Sequence, residues 1–301
     1  MAEELHVVRN QKDTVFRMLF REKKELLELY NALNDSAYSS PEDLTICTLE
    51  NAIYMNFKND ISFLLDSEMN LYEHQGSYNP NMPLRDLVYI AKQLEKYTRD
   101  ETIYSSTLVK IPVPRFVVFY NGTDGQPERQ ILRLSDAFEK ETAEPELELK
   151  VLMLNINFGH NQELMDKCRT LKEYSQYVDR VRKYAKRMQI EEAVERAVTE
   201  CTREGILADF LSSQRAEVIA VSIFEYNEEE EMRKIRASEY KNGKEDGIAQ
   251  GIKQGIEQGI EQGMVETCKE LGVSFEQTVA RLKLRLGISE QEAQEKVRHY
   301  W

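Results

Sequence analysis

Asp60 and Glu73 are the two side chains of this sequence whose type and spacing best suit catalysis. They lie in residues 44–65 and 69–75, which are rich in strand-forming residues and are predicted to be neighbouring strands. Gln75 follows Glu73 at the spacing that puts both on one face. Two carboxylates converging on a face repel each other unless a cation neutralises them, and Mg²⁺ accepts one or two carboxylates together with water and phosphate oxygens. The alternative is an ordinary solvated strand face.

Whether the two carboxylates share a face depends on the turn between their strands, which is predicted at residues 66–68. An even number of turn residues, centred on the last two of that range, puts Asp60 opposite Gln75. Asp60 and Glu73 are then diagonal neighbours on one face, roughly 7–8 Å apart. A three-residue turn instead puts Asp60 on the other face, unless a bulge restores it.

The spacing of apolar side chains predicts the elements that hold these residues. Helical spacing runs through residues 13–30 and, after the break at 79–83, through 84–97, where the apolar positions run from Leu84 to Leu94. Uninterrupted apolar runs at 116–120 and 151–156 predict buried strands. Strands and helices in this order predict an α/β fold, a mixed sheet with helices packed on it.

Beyond residue 160 the sequence is predicted to be helical almost throughout, with one long helix over 164–188 and another over 207–240. Glycine then recurs at every fourth position from 243 to 263. Six glycines cost a helix about 5–6 kcal/mol relative to alanine. The repeat is therefore predicted either to pack closely against a partner helix, such as one from a second copy of the chain, or to be a flexible spacer.

Ser274 and Ser289 are predicted to begin two short terminal helices, and Glu292 completes a capping box with Ser289. The predicted divisions of the chain are a core, a helical extension, the glycine repeat and the terminal helices, at residues 1–160, 161–240, 241–270 and 271–301.

The region around Asp60 resembles a known family. Asp60, Glu73-His74-Gln75 and the segment 79–85 followed by Tyr89 look like the recombination-promoting nuclease and transposase family of the PD-(D/E)XK superfamily, and residues 12–20 are similar to its first helix. The resemblance implies a restriction-endonuclease-like mixed sheet flanked by helices. It also implies a DNA endonuclease that hydrolyses phosphodiester bonds with Mg²⁺, or with Mn²⁺ in its place.

The resemblance assigns Mg²⁺ binding to Asp60 and Glu73, while Gln75 stands where much of the superfamily has lysine. An amide can orient a water molecule, but it carries no charge to stabilise the transition state. An E-x-Q form is familiar within the resembled family, so catalysis remains the preferred interpretation. The rival is a weak or inactive nuclease-fold protein that acts as an interaction or assembly module, and action on RNA is a third hypothesis.

Other polar residues have two interpretations each. Arg85 and Tyr89 share a helix face and would contact a phosphate, or Arg85 would pair with a carboxylate. Asp13 would supply a third acid, but its place before an apolar helical run favours a helix cap. His74 points away from the face of Glu73 and is predicted to be a packed sheet histidine.

The net charge of −13 argues against a nucleic-acid partner, because phosphate binding depends on Lys and Arg. The charge is uneven, however: residues 161–190 contain eight Lys and Arg against four Asp and Glu. This basic helix predicts contact with the DNA backbone, and the alternative is a solvated surface. The residues predicted to make that contact are Arg180, Arg182, Lys183 and Lys186.

No apolar run approaches the roughly 20 residues needed to cross a membrane, and the first residues are acidic where a secretory leader would be basic. These features predict a cytoplasmic protein without a membrane partner. Its predicted partners are DNA and, through the C-terminal helices, a second copy of the chain.

Overall fold

The computed structural model describes residues 14–48 and 60–301. Their contacts divide the chain into two compact units, Met1–Glu229 and Glu230–Trp301. The first unit extends well past residue 160, where the sequence predicted the core to end. The helices from residue 162 to 213 and the start of the next helix share one apolar core with the strands, so the packing continues past residue 160. Asp13 lies outside the described residues.

The first unit is built on a mixed sheet, so the predicted α/β class is confirmed. Six strands are seen in the described residues, in the spatial order β1-β2-β3-β4-β6-β5. The neighbours β3/β4 and β4/β6 are parallel, and the other pairs are antiparallel. The strands are β1 (Thr45–Ile46), β2 (Ile61–Leu65), β3 (Glu68–Gln75), β4 (Val113–Tyr120), β5 (Arg129–Arg133) and β6 (Lys150–Asn155).

Helices cover both faces of the sheet and make up most of the C-terminal half, as predicted. Within the described residues, none is both long and apolar enough to cross a membrane. The helices are α1 (Val15–Phe20), α2 (Lys23–Asn34), α3 (Met82–Tyr97), α4 (Gln162–Lys167), α5 (Arg169–Ala185), α6 (Ile190–Glu204), α7 (Ala208–Ser213), α8 (Arg215–Glu270), α9 (Phe275–Leu286) and α10 (Glu290–Tyr300).

Each face of the sheet has its own core. One core joins α1, α2, α5 and α6 to side chains such as Tyr72 and Phe119. The other joins α3 to the alternate side chains of the same strands, such as Leu71 and Val118. Successive residues of β3 and β4 therefore point into different cores, which is why β4 is the continuous apolar run that the sequence showed.

Helix α3 is confirmed, but its buried face differs from the predicted one. Leu84 is 49% exposed, whereas Asp86 and Gln93 are each only 1% exposed. Buried Met82 and Tyr89 share the inward face with these two polar residues. The apolar stripe did not identify the buried face, because that face of the helix also carries buried polar side chains.

The long helix predicted over 164–188 is in fact two helices, α4 and α5, which meet at Cys168. The backbone of Cys168 is extended, with φ −121° and ψ 98°, and it serves as C-cap of α4 and N-cap of α5. Helix α5 ends at Ala185, before residue 188. Strand β5 was missed because it lies at the sheet edge and is largely exposed, so it has no apolar run.

The second unit contains the whole glycine repeat and the two terminal helices. Ser274 and Ser289 cap α9 and α10 as predicted, and the capping box with Glu292 is present. Val265 of α8 packs with the terminal helices through residues such as Leu282. The repeat is helical, since α8 continues through all six glycines.

Alanine at two glycines of the repeat should stabilise α8. A Cβ at Gly251 or Gly255 meets no atom within 4 Å outside the local helix, and glycine costs an exposed helix about 1 kcal/mol relative to alanine. Gly251→Ala and Gly255→Ala should therefore increase amide hydrogen-exchange protection across residues 243–263. Reduced protection would show instead that a close contact at these positions, such as one with another copy, requires glycine.

Candidate active site

The hairpin of β2 and β3 sets the positions of the two predicted carboxylates. Its turn is Asp66-Ser67, with φ 48° and 62°, a two-residue turn with both residues in the left-handed region. Ile61 pairs with Tyr72, so the next position places Asp60 opposite Glu73. Of the two turn lengths that the sequence left open, the structure has the even one, and its centre lies one residue earlier than the sequence suggested. Asp60 is consequently the direct partner of Glu73 rather than of Gln75.

The two carboxylates are held by hydrogen bonds that cross between the strands. The backbone N–H of Asp60 donates to Oε1 of Glu73 at 3.1 Å. In return, the backbone N–H of His74 donates to Oδ2 of Asp60 at 2.7 Å. Each carboxylate is thereby tied to the opposite strand, and both are fixed at the same edge of the sheet. Gln75 ends β3, half-buried, two residues beyond Glu73.

Glu73 is the most constrained acid of this group, being 1% exposed. Burial, and then the neighbouring charges of Asp60 and Asp86, raise its pKa well above the usual range. Nη2 of Arg85 lies 3.6 Å from its Oε2 and partly offsets this. The protein therefore buries a carboxylate in a place that favours either a proton or an additional cation.

Arg85 and Tyr89 lie together, as their spacing predicted, but they face the acids. Nη2 of Arg85 donates to the hydroxyl of Tyr89 at 3.0 Å and also lies close to Glu73. Tyr89 is 1% exposed, whereas the side chain of Arg85 is 30% exposed. Of the two interpretations offered by the sequence, the structure shows the one in which Arg85 pairs with a carboxylate.

Asp86 is a member of this site that the sequence interpretation missed. It is 1% exposed, and neither carboxylate oxygen has a hydrogen-bond partner among the described residues. Burial raises its pKa to about 7, against a lowering effect of Arg85. One sequence feature could have predicted its place on the inner face of α3: Asp86 is the only acid of this helix at helical spacing from Met82, Tyr89 and Gln93.

Asp86 should make stability depend on pH. The folded protein holds its proton up to a pKa of about 7, whereas in an unfolded chain the pKa is about 4, so stability should fall as pH rises from about 4 to 7. Asp86→Asn should flatten that fall and stabilise the protein at pH 8 by about 2 kcal/mol. Urea denaturation at pH 5 and pH 8 in EDTA measures this, with the exposed Asp136→Asn as control. An unchanged pH profile in Asp86→Asn would contradict it.

His74 is a packed sheet histidine, as predicted. Its ring stacks on Phe16 with centroids 4.8 Å apart, and Nε2 lies 3.0 Å from the hydroxyl of Tyr174. Burial lowers its pKa to about 3, so the ring is neutral. The ring lies on the sheet face opposite Glu73, and only the backbone N–H of His74 takes part in the acidic site.

Two glutamates of α8 also lie near this edge, and no local sequence pattern predicted them there. Oε2 of Glu225 accepts the backbone N–H of Val15 at 3.2 Å, and burial raises its pKa to about 8. Glu229 lies against Gly76, directly after Gln75: a Cβ added there would be 2.8 Å from Oε1 of Glu229. The acidic character of the edge thus extends beyond the hairpin.

The predicted DNA contacts of α5 are largely engaged within the fold. Nη2 of Arg180 binds Glu204 at 2.6 Å, and Nη2 of Arg182 binds Glu229 at 2.8 Å. Lys183 is 64% exposed at its side chain but pairs with Asp179 at 2.5 Å. Lys186, just after α5, is exposed. Of these four cations, Lys183 and Lys186 are the better placed to meet a phosphate.

The carboxylates suit a cation that needs few protein ligands. In residues 14–48 and 60–301, no three His, Cys, Asp or Glu side chains come together as a metal site. Mg²⁺ needs only one or two carboxylates, because it retains water and takes phosphate oxygens. Asp60 and Glu73 meet that requirement, and the partnerless Asp86 adds negative potential close by.

Comparison with protein-family models gives no match for the chain, and comparisons with curated proteins and with solved structures give none either. The function therefore has to be inferred from the side chains at the sheet edge.

Proposed function

We propose that this protein is a metal-dependent DNA endonuclease of the PD-(D/E)XK type, related to recombination-promoting or transposon-encoded nucleases. The proposal includes a restriction-endonuclease-like arrangement of the sheet and its helices. Asp60 and Glu73 hold Mg²⁺ or Mn²⁺, and the substrate is a phosphodiester bond of DNA.

One observation supports the proposal most strongly: the hairpin register makes Asp60 the direct partner of buried Glu73. Glu73 and Asp86 both lie near the guanidinium of Arg85, and Asp60 adds a third carboxyl group beside Glu73. Ionising the buried Glu73 and Asp86 side by side is costly in a low-dielectric environment. A divalent cation bound at Asp60 and Glu73 would lower that cost.

The residues of the site have distinct parts in hydrolysis. A bound Mg²⁺ supplies a Lewis acid at the phosphate and lowers the pKa of a coordinated water. Asp60 and Glu73 hold this charge in place through their crossed hydrogen bonds to the backbone. The amide of Gln75 orients the attacking water, whose oxygen bonds to phosphorus as the opposite P–O bond breaks and the leaving oxygen takes up a proton.

Two further features bear on rate and binding. Gln75 adds no positive charge at the phosphate, so hydrolysis should be slower than with lysine there. Arg85 supplies a charge from α3, since its side chain is 30% exposed and remains within reach of solvent. Lys183 and Lys186 are the cations proposed to contact the DNA backbone, and the binding should weaken as salt rises.

The test is incubation of purified protein with supercoiled plasmid DNA and Mg²⁺ or Mn²⁺, beside EDTA. Nicked or linear DNA should form only with metal. A labelled RNA in a parallel reaction decides between the two nucleic acids. Absence of cleavage of either with both metals would contradict the proposal.

A second candidate function is an interaction or assembly module on the same fold. Two observations favour it: Arg180 and Arg182 are engaged by glutamates, and the isoleucines of the repeat are exposed, with Ile252 at 59% and Ile256 at 58%. The partner proposed for that stripe is a second copy of the chain. A metal-independent dimer without cleavage activity would support this candidate.

A further inference from the structure

A cleft of about 410 Å³ opens at the carboxyl ends of β4 and β6, beside α5. Its walls come from the loops that follow these two strands and from one side of α5, which packs on the sheet face opposite Glu73. Crevices outside the carboxyl ends of parallel strands are common ligand sites in α/β sheets, and this volume is within the usual range for small molecules.

The floor of the cleft contains polar atoms that lack partners. Asn121 is 5% exposed, and its Nδ2 donates to the hydroxyl of Tyr174 at 2.9 Å. Its Oδ1 is buried without a hydrogen-bond partner in the described residues, and so is Nδ1 of His160. Both residues line the cleft. Because a buried polar atom left unpaired is costly, these two atoms indicate a ligand that brings an N–H donor to Asn121 and a polar group to His160.

The mouth of the cleft combines an aromatic ring with positive charge. Phe158 is 54% exposed, and Nζ of Lys183 lies 5.6 Å from its ring centroid. Nη1 of Arg182 donates to Oδ1 of Asn157 at 2.9 Å, which fixes that wall. The exposed Lys186 also lines the mouth. The three cations are accompanied by two carboxylates, Asp124 and Asp179.

We propose that this cleft binds a single nucleotide. The planar base stacks on Phe158, its hydrogen-bonding edge meets Oδ1 of Asn121 and Nδ1 of His160, and its phosphate lies at Lys183 and Lys186. A flat ring explains the exposed aromatic side chain, a base edge explains the two partnerless atoms, and a phosphate explains the lysines. A simple anion would use only the lysines. The inference does not depend on phosphodiester hydrolysis.

Two ligands present a base together with a phosphate in this way: a free nucleoside monophosphate and the 5′-phosphorylated end of a single strand. Asn121 in the cleft is linked through the hydroxyl of Tyr174 to the ring of His74, and the backbone N–H of His74 donates to Asp60. A base bound in the cleft would therefore be connected to the acidic site through His74.

Isothermal titration with deoxyadenosine 5′-monophosphate in EDTA tests the proposal, since no cleavage can occur there. The full-length protein should bind the mononucleotide, and Phe158→Leu and Lys186→Gln should each weaken binding about 10-fold. Both positions are exposed, and unchanged melting temperatures would show that the variants fold. Tyr104→Leu and Lys140→Gln replace an exposed ring and an exposed lysine outside the cleft, and should bind as wild type does.

Two comparisons complete the test. Equal affinity for inorganic phosphate and for the mononucleotide would overturn the proposal, and so would unchanged nucleotide affinity in Phe158→Leu. A single-stranded oligonucleotide with a 5′-phosphate, set beside its 5′-hydroxyl form, identifies the source. Tighter binding of the phosphorylated strand, lost in Phe158→Leu, assigns the cleft to strand ends. Binding of the mononucleotide alone assigns it to a free nucleotide.

Discussion

Glu73→Gln is expected to abolish metal-dependent cleavage of plasmid DNA while leaving the protein at least as stable as wild type. Removing one of the two carboxylates proposed to bind the metal should cost several kcal/mol of transition-state stabilisation, a loss of about 10³-fold in rate. The same change removes a buried group whose pKa is raised by burial and by Asp60. Glutamine keeps an oxygen that can accept the backbone N–H of Asp60.

The combination of lost activity and retained stability separates this result from simple unfolding. Because the folded protein binds the proton of Glu73 more tightly than the unfolded chain does, ionised Glu73 destabilises the fold as pH rises. At pH 8 in EDTA, Glu73→Gln should therefore melt at the same temperature as wild type or higher. Added Mg²⁺ should raise the melting temperature of wild type and have little effect on the variant.

Asp60→Asn should lose cleavage in the same way, and the exposed Glu146→Gln should cleave as wild type does. Initial rates of plasmid nicking across a series of Mg²⁺ concentrations provide the measurement. Cleavage at wild-type rate by both Glu73→Gln and Asp60→Asn would remove these residues from the mechanism, even if the protein proves to be a nuclease.

Gly122→Ala is expected to destabilise the first unit by about 2–4 kcal/mol. A Cβ at Gly122 would lie 2.5 Å from the carbonyl oxygen of Gly76 and 2.6 Å from the hydroxyl of Tyr120. One of these neighbours is backbone, so a side-chain rotation cannot relieve the overlap. The carbonyl of Gly122 also accepts a hydrogen bond from Asn157 at 3.0 Å.

Gly125→Ala is the matched control, because a Cβ there meets nothing within 4 Å. It lies in the same loop and should change stability by less than about 0.5 kcal/mol. Urea denaturation midpoints measure both variants. Since Gly76 directly follows Gln75, Gly122→Ala should also slow cleavage. Similar midpoints for the two variants would mean that the contact between the loop and Gly76 relaxes at little cost.

The main elements around the site could be predicted because their sequence signals are local. Strand β4 is a continuous apolar run, and the hairpin of Asp60 and Glu73 has the even turn that was one of the two alternatives. The predicted register differs from the observed one because the prediction assigned Glu68 to the turn. In the structure the turn is Asp66-Ser67, and both residues have positive φ. In the structure Glu68 begins β3 and binds Nη2 of Arg115 at 2.7 Å. That partner is distant in sequence, so a local pattern cannot reveal it.

The residues near the site that the sequence did not predict were missed for a different reason. Asp86 is hidden by its own helix, because Leu84 and its apolar neighbours suggest another buried face. Glu225 and Glu229 reach the sheet edge from a helix about 150 residues later in the chain, and only tertiary packing brings them there. Likewise, some cations of the basic helix pair with acids from other elements, as Arg180 does with Glu204, and the local sequence does not reveal such pairs.

The two-residue turn at Asp66-Ser67 also limits how this chain can vary in length. Inserting one residue there would exchange the two faces of β2 relative to β3, sending Asp60 toward the core that holds Phe63 and bringing Ile61 to the side of Glu73. Inserting two would keep Asp60 on its face but move it along the strand. Length changes at this turn should therefore disturb the pairing of Asp60 with Glu73.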